Sequence, residues 1–299
     1  MDDLIITVAA DSHHSYPSNP LPADHTRLGL VDEYLRAVDA GASICHLHGA
    51  AVFDPASASP RPDPEAWSAF SEAIRARAPG VVIQNGLAGM NLESKRLLAE
   101  HQRPEMMGAA VGPHDTRFAR DPDDDGAVDL YAMGKREDLV ALCSDPALRD
   151  VKVEFECFTC GSYWVIDYLI ERGVLPGPRW ATVFLGWEGA TWTPPTLEAL
   201  QFMVRHLPPE TNWNLSVMDP ATAWDLIPAA IALGGHVRVG WEDNPYLPNG
   251  ERAAHNAQLV EAVVALAEAA GRPVASPASA RRIIGLSPVG ERHPEPTAA

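Results

Sequence analysis

Two short stretches, ASICHLH at residues 42–48 and DPEAW at residues 63–67, together indicate how this chain folds. The first is an apolar run with the length and composition of a buried strand. The second is typical of a helix start, because Asp63 can cap the first turn and Pro64 suits the first helical position. We therefore predict a strand over residues 42–48, a loop, and a helix over residues 64–78.

The same order of strand and helix recurs along the whole chain. Further strands are predicted at 4–10, 81–85, 105–111, 151–157, 180–186, 211–217 and 236–240, and further helices at 26–40, 92–101, 134–144, 162–173, 195–206, 220–233 and 251–270. Strands that alternate with helices pair in parallel, and eight such units are the number in a closed (β/α)8 TIM barrel. The alternative is a doubly wound open sheet. Even spacing, and a first strand without a Gly-rich phosphate turn after it, favour the barrel.

The domain organisation predicted from the sequence is one barrel domain over residues 1–287. The loop at 111–129 is long, charged and rich in turn residues, so we expect a lid or a contact with another subunit. Residues 288–299 contain three prolines and little apolar content, which predicts a disordered tail.

Composition restricts the partners of the chain. The 299 residues carry a net charge of −17, which disfavours nucleic acid and anionic membranes but leaves room for a small-molecule substrate. Four cysteines are too few for a disulfide scaffold. With no secretion signal and no apolar stretch long enough to span a membrane, the sequence predicts a soluble cytoplasmic protein.

His46 and His48 stand two residues apart at the end of the predicted second strand. Residues i and i+2 of a strand share a face, and the C-terminal strand ends carry the active site of a barrel. Two ordinary histidines are the alternative. The eighth strand adjoins the first in a closed barrel, so Glu242, just beyond the eighth strand, can reach both imidazoles. Two histidines and one glutamate with an open position form a catalytic zinc set.

The two motifs HLH, residues 46–48, and GGHVRVGWEDN, residues 234–244, resemble those of the β-keto acid cleavage enzymes, the group that includes 3-keto-5-aminohexanoate cleavage enzyme. The resemblance covers most of the chain and includes LIITVAA (4–10), VVIQNGLAGM (81–90) and VEFECF (153–158). It implies a zinc-dependent (β/α)8 barrel, generally a homotetramer. Such enzymes condense a β-keto acid with acetyl-CoA and cleave the product to acetoacetate and a new CoA ester.

Carried over by position, the resemblance makes His46, His48 and Glu242 the metal ligands. It implies charge stabilisation by Arg238 and an acid/base or orienting contact by Asp243. The catalytic candidates on the fifth strand are Glu154 and Glu156, which share a face that we expect to point inward. A buried carboxylate there would have a raised pKa suited to proton transfer. A structural hydrogen-bonded pair is the alternative for one of them.

The sequence departs from the family at the end of the site that holds the substrate carboxylate. The glutamate usual after the first strand is replaced by His14, next to His13. The usual hydroxyl residues after the third and fourth strands are replaced by the predicted pocket residues Gly86, Leu87, Gly108 and Ala110. Either the substrate lacks that carboxylate or other donors replace the lost ones. The candidates are His13, His14 and His114, and for each the alternative is an exposed loop histidine.

Other residues near the predicted mouth are aromatic. Of Trp187, Trp192, Trp241 and Trp164, we expect some to pack against helices. Together with the small residues Gly86, Gly108 and Ala110, the tryptophans predict a roomier, less polar pocket that would fit an apolar or aromatic part of the substrate. The CFTC stretch at 157–160 lacks a second cysteine pair, so Cys157 is interpreted as packing and Cys160 receives no role. His236, at the start of the eighth strand, is predicted to be structural.

The predicted function is zinc-dependent C–C bond cleavage of a β-keto acid or related β-dicarbonyl compound, with acetyl-CoA as co-substrate. One alternative is a zinc-dependent lyase or hydrolase, acting by a retro-aldol or hydrolytic retro-Claisen reaction without CoA. Another is a metal-binding protein without catalytic activity. The arginine and aspartate that flank Glu242 argue against that one, because simple metal binding does not need them.

Overall fold

Eight parallel strands close into a barrel in the computed structural model, which describes residues 1–10, 27–49, 51–54, 59–118, 128–132, 134–187 and 190–289. The strands are β1 (Ile6–Ala9), β2 (Ile44–Leu47), β3 (Ala51–Asp54), β4 (Ser59–Pro62), β5 (Val82–Asn85), β6 (Met106–Ala110), β7 (His114–Phe118), β8 (Val128–Ala132), β9 (Lys152–Cys157), β10 (Arg179–Leu185), β11 (Thr211–Val217) and β12 (His236–Val239). The barrel order is β1-β12-β11-β10-β9-β6-β5-β2, and β1 pairs with both β12 and β2. The predicted (β/α)8 barrel is confirmed.

Helices follow the barrel strands. They are α1 (Val31–Asp39), α2 (Pro64–Arg77), α3 (Leu92–His101), α4 (Arg136–Ser144), α5 (Tyr163–Glu171), α6 (Leu197–Arg205), α7 (Ala223–Ala232), α8 (Asn256–Ala269) and α9 (Pro277–Ile284). The predicted cap of α2 is present, since the Asp63 carboxylate accepts from the backbone N–H groups of Glu65 and Ala66 at 3.1 and 3.2 Å. The helix predicted from residue 251 begins only at Asn256, because Gln258 and His255 form a capping box there. Helix α9 was not predicted.

Two antiparallel hairpins add to the barrel, and the sequence analysis predicted neither. One joins β3 to β4, and the other joins β7 to β8. The second hairpin occupies the described part of the loop at 111–129, whose residues 119–127 lie outside the described residues. The predicted tail at 288–299 also lies outside them, apart from residues 288 and 289. Its disorder stays a prediction.

The N-terminal end of the barrel is closed by apolar packing. Residues from the first positions of the strands, among them Ile44, Val82 and Met106, form one cluster with Ile284 of α9. His236 lies at this end, where its Nδ1 accepts from the backbone N–H of Ile5 at 3.0 Å. Because this end is filled, a substrate site has to lie at the opposite, C-terminal end. In the described parts of the chain, no helix has the length and apolar character needed to cross a membrane.

Candidate active site

Three predicted ligands converge at the C-terminal mouth of the barrel. His46 belongs to β2, His48 follows it, and Glu242 follows β12. The Nε2 atoms of the two imidazoles lie 3.1 Å apart, and the Oε1 atom of Glu242 lies 3.2 Å from His48 Nε2 and 3.7 Å from His46 Nε2. These residues form the one group in the described chain that was found to offer three ligand atoms this close together. The three side chains that the sequence spacing predicted as ligands therefore lie close together.

The donor set fits a tetrahedral zinc ion. With bonds of about 2.1 Å, tetrahedral ligand atoms stand about 3.4 Å apart, close to the three separations observed. The Nδ1 atom of His46 lies 3.1 Å from Gln84 Oε1, an acceptor that favours a proton on Nδ1 and a lone pair on Nε2.

Burial, together with the neighbouring Arg238, holds the pKa of His46 well below its ordinary value. Burial alone would raise the pKa of Glu242, but Arg238 and the two histidines hold it well below the usual range. Neutral imidazoles and an ionised carboxylate are the forms that bind metal.

Gly86 lines the cavity beside these ligands, as predicted. A Cβ atom there would lie 2.3 Å from His48 Cε1 and 2.6 Å from His46 Nε2. The missing side chain therefore leaves room for the imidazoles, and a contact of Gly86 with substrate stays a prediction. The prediction that Leu87 lines the pocket is wrong, because Leu87 is buried in the main apolar core and is not among the described residues that line this cavity.

Arg238 is held rigidly beside the metal ligands. Its Nε and Nη2 atoms each donate to Asp243 at 2.9 Å, and Nη2 also donates to Glu242 Oε1 at 2.7 Å. Burial alone would lower the pKa of Arg238, but the two carboxylates outweigh it and hold that pKa well above its ordinary value. Asp243 is 1% exposed with both oxygens on Arg238, and it does not appear among the described residues that line the cavity. This geometry favours the orienting role for Asp243 over direct proton transfer.

The two glutamates of β9 point into the barrel as predicted. Glu154 is fully buried and accepts from the Thr182 hydroxyl, whereas Glu156 reaches the cavity wall. Burial and the neighbouring Glu154 raise the pKa of Glu156 to about 8. Burial also raises the pKa of Glu154. Glu156 is therefore mainly protonated at neutral pH and lies where it can exchange a proton with a bound molecule.

Gly108 supports Glu156 rather than the substrate. A Cβ atom on Gly108 would lie 2.6 Å from Glu156 Oε1, so the carboxyl group rests on this glycine. Gly108 does not line the cavity that holds the metal ligands, so the predicted substrate contact is replaced by a supporting one. Strands β6 and β9 are paired neighbours, with Gly108 opposite Glu154 and Ala110 opposite Glu156, which brings Gly108 beside the two glutamates.

Lys95 of α3 is a buried cation that the sequence analysis missed. It is 5% exposed, and its Nζ donates to the backbone carbonyls of Leu87 and Gly108, the latter at 3.0 Å. Burial lowers the pKa of Lys95 to about 8. Lys95 precedes the buried Leu98 and Ala99 by three and four residues, so all three lie on one face of α3. That helical spacing could have predicted the burial of Lys95 from the sequence.

The second end of the cavity is aromatic. The cavity encloses about 170 Å³, and its walls beyond the metal ligands include His114, Phe158, Phe184, Trp187, Trp192 and Met218. Two other predicted tryptophans are elsewhere, since Trp241 is buried in the core and Trp164 is 76% exposed on α5. His114 is at the predicted place, and burial lowers its pKa. His13 and His14 lie outside the described residues.

A model for the family described as beta-keto acid cleavage enzyme matches residues 3–286. The chain belongs to this family. It is 31% identical over 291 residues to 3-keto-5-aminohexanoate cleavage enzyme of Acetoanaerobium sticklandii, covering 96% of this chain and 100% of the relative. It is also 31% identical to 3-oxoadipate:acetyl-CoA acetyltransferase of Cupriavidus necator over 268 residues, covering 86% of this chain and 85% of the relative. The resemblance found in the motifs is confirmed, and with it the prediction that this is an enzyme of this family.

Solved structures share the fold at much lower identity. The ternary complex of ObcA with a C4-CoA adduct and oxalate superimposes with a TM-score of 0.62 at 16% identity, over 87% of this chain and 67% of that one. KGPDC from Streptococcus mutans gives a TM-score of 0.52 at 10% identity, over 89% of this chain and 98% of that one. These likenesses support the barrel fold and carry nothing about substrate.

Proposed function

We propose that this member of the family cleaves a β-keto acid with acetyl-CoA, giving acetoacetate and a new CoA ester. In this reaction two bonds break, the one between C2 and C3 of the keto acid and the thioester C–S bond of acetyl-CoA. The C3 acyl group forms a thioester with the CoA sulfur, and C2 forms a bond to the acetyl carbonyl carbon. The observation that carries the proposal is the convergence of His46, His48 and Glu242 with Arg238 on one buried cavity. The name of the Cupriavidus necator relative includes acetyl-CoA, which supports the same co-substrate here.

The metal site belongs to the proposal. His46, His48 and Glu242 would hold a zinc ion through Nε2, Nε2 and Oε1, and a bound zinc supplies a Lewis acid that polarises a carbonyl oxygen. The tight spacing of these three atoms and the ionisation of Glu242 support this assignment.

The protein's own groups handle charge and protons. Arg238, which is 3% exposed, offers a fixed positive charge at the cavity wall, where it stabilises the negative charge that develops on oxygen as the C–C bond breaks. Asp243 orients that guanidinium through two parallel hydrogen bonds. Glu156 lines the cavity with a pKa of about 8, takes up the proton that leaves C2 before C2 bonds to the acetyl carbon, and returns it to carbon when the C2–C3 bond breaks. Glu154, bound to Thr182, supports the raised pKa of Glu156.

Purified protein incubated with β-keto acids, with and without acetyl-CoA, tests the proposal. Formation of acetoacetate and a CoA ester only in the presence of acetyl-CoA is the expected result. Turnover without CoA would support the alternative lyase or hydrolase, to which the same metal ligands and Arg238 are suited. Metal binding without turnover of any keto acid would leave a non-catalytic metal-binding protein.

The family resemblance also underlies two further proposals. We propose a homotetramer, which light scattering at micromolar concentration tests, and a clean monomer would contradict it. We further propose that the enzyme acts in the cytoplasm on a small-molecule substrate, and cell fractionation tests the location.

A further inference from the structure

The aromatic end of the active cavity, defined by His114, Phe158, Phe184, Trp187, Trp192 and Met218, differs in chemistry from the metal end. None of these six side chains carries a fixed charge. Burial lowers the pKa of His114, so its ring is neutral at pH 7 and offers one donor and one acceptor. A substrate group that enters this end therefore meets apolar faces and one neutral polar ring.

The rings support one another, so the walls are already in place. His114 stacks on Phe158 with centroids 4.1 Å apart and planes at 20°. The ring centroid of Trp192 lies 4.3 Å from that of Phe158 and 5.3 Å from that of Trp187. The indole of Trp192 donates to the backbone carbonyl of Asp115 at 2.8 Å, which ties the second hairpin to the loop after β10. A preformed apolar cavity selects a group that matches its shape.

The charged groups next to the aromatic end are already paired. Arg238 lies with its Cζ atom 5.1 Å from the ring centroid of Phe184, but it donates to both Asp243 and Glu242, and its charge already occupies that face of the ring. A second cation would meet that charge and no carboxylate among the six side chains. An anion would be buried against the rings, with Arg238 already held by two carboxylates, which is unfavourable. Both a positive and a negative side group are therefore disfavoured.

We infer that the β-keto acid cleaved here carries an uncharged aromatic group on C3, which packs against Trp187 and Phe158 and places any polar ring atom at His114. This inference rests on the proposed function and names its substrate class. An apolar cavity of about 150 Å³ is large enough to bind benzene, and the present cavity, metal end and aromatic end together, measures about 170 Å³ and is open at its mouth. The product would be acetoacetate together with an aromatic acyl-CoA.

Four substrate probes, each with saturating acetyl-CoA, test the inference by kcat/KM. They are 3-oxo-3-phenylpropanoate, 3-oxohexanoate, 3-oxoadipate and 5-amino-3-oxohexanoate. The phenyl compound should exceed 3-oxohexanoate by about tenfold, as expected for added ring contacts, and both should exceed the two compounds with charged side groups. A charged probe that equals or exceeds the phenyl compound overturns the inference and leaves the proposed function intact. Absence of turnover with all four contradicts the proposed function itself and removes the inference with it.

Matched tryptophan variants sharpen the result. Trp187→Leu should lower kcat/KM for the phenyl compound by about tenfold and that for 3-oxohexanoate by a clearly smaller factor. Trp164→Leu, at an exposed position on α5, should change neither. Trp187→Arg, which places a cation at the wall, should shift preference toward 3-oxoadipate. Equal losses on both substrates in Trp187→Leu, or no shift in Trp187→Arg, would contradict the assignment of this wall to the side group.

Discussion

Strand β12 carries two buried polar residues two positions apart, and they serve opposite ends of the barrel. His236, at the closed end, accepts from the backbone of Ile5 and stacks on Trp180 with centroids 5.3 Å apart. Arg238, at the mouth, bonds instead to the side chains of Asp243 and Glu242. Both residues are nearly inaccessible to solvent, so burial alone does not distinguish a structural polar residue from a functional one.

The difference lies in the partners. At the closed end, Arg272 shows the same preference as His236, because it donates to the carbonyls of Asp2, Ile231 and Gly235. Backbone partners are supplied by the fold itself. At the mouth, charged side chains depend on other charged side chains, an arrangement that costs desolvation free energy and that a well-packed apolar core would avoid. Such a cluster is the physical mark of a site whose chemistry needs it.

The largest expected effect follows from removing a metal ligand. His48→Ala or Glu242→Ala should abolish the bound divalent ion, near one per chain in the wild type, and lower activity by about a thousandfold or more. Metal content is measured by elemental analysis and the fold by circular dichroism. His101→Ala, at an exposed position on α3, should retain both metal and activity. Full metal content in both ligand variants would mean that other residues hold the ion.

The next effect concerns the ion pair at the mouth. Asp243→Asn replaces one acceptor of Arg238 with a donor, which should release the guanidinium and lower kcat/KM by about a hundredfold. Asp145→Asn is a matched control, because Asp145 is also buried and pairs with Arg96, but among the outer helices. The control should lose stability in urea and keep kcat/KM. Equal kinetic losses in both variants would show that Asp243 acts only through stability.

A smaller effect is expected at Gly86. Gly86→Ala brings a methyl group against both imidazoles, and overpacking of this kind costs about 1–3 kcal/mol, so metal affinity should fall by about tenfold or more. Gly89→Ala is the control, since a Cβ there meets no described atom within 4 Å. Competition with a metal chelator measures the affinity. Unchanged metal affinity in Gly86→Ala would show that the two imidazoles can move away from the added methyl group and still bind the ion.

The convergence of His46, His48 and Glu242 could be predicted from the sequence because two simple rules determine it. Side chains two positions apart in a strand share a face, which places His46 and His48 together, and closure of the barrel brings Glu242 beside them. The aromatic end was predicted only in part, since Trp187 and Trp192 were expected there but Phe158, Phe184 and Met218 were not. Which loop side chains converge is set by tertiary packing that no periodicity encodes.

The contacts of two glycines and the two hairpins were also not predicted from the sequence. Gly86 and Gly108 were interpreted as lost hydroxyl groups, whereas the structure fills the space beside them with His48 and Glu156. That contact depends on the positions of neighbouring strands, which the sequence of one strand cannot give. The two hairpins pair short segments across loops, and the polar residues of those loops predicted turns rather than strands.

The smallest effect tests the closed end and concerns stability alone. Burial, with a further contribution from Arg272, lowers the pKa of His236 to about 3, below the value of 6.5 for an exposed histidine. Above pH 6.5 the ring is neutral in both folded and unfolded chains. As pH falls below 6.5 only the unfolded chain takes up the proton, so stability declines by about 1.4 kcal/mol per pH unit until about pH 3. His236→Asn keeps an acceptor for Ile5 without titrating.

Urea unfolding at pH 7.5 and pH 5.0 isolates this contribution of His236. The wild type should lose about 2 kcal/mol more between these pH values than His236→Asn does, because about 1.5 pH units lie below the unfolded pKa. Activity at pH 7.5 should be the same in both, since His236 bonds to the backbone far from the mouth. An identical pH dependence in the two proteins would mean that His236 already takes up its proton in the folded state. The contrast between a structural and a functional polar residue would then rest on Arg238 alone.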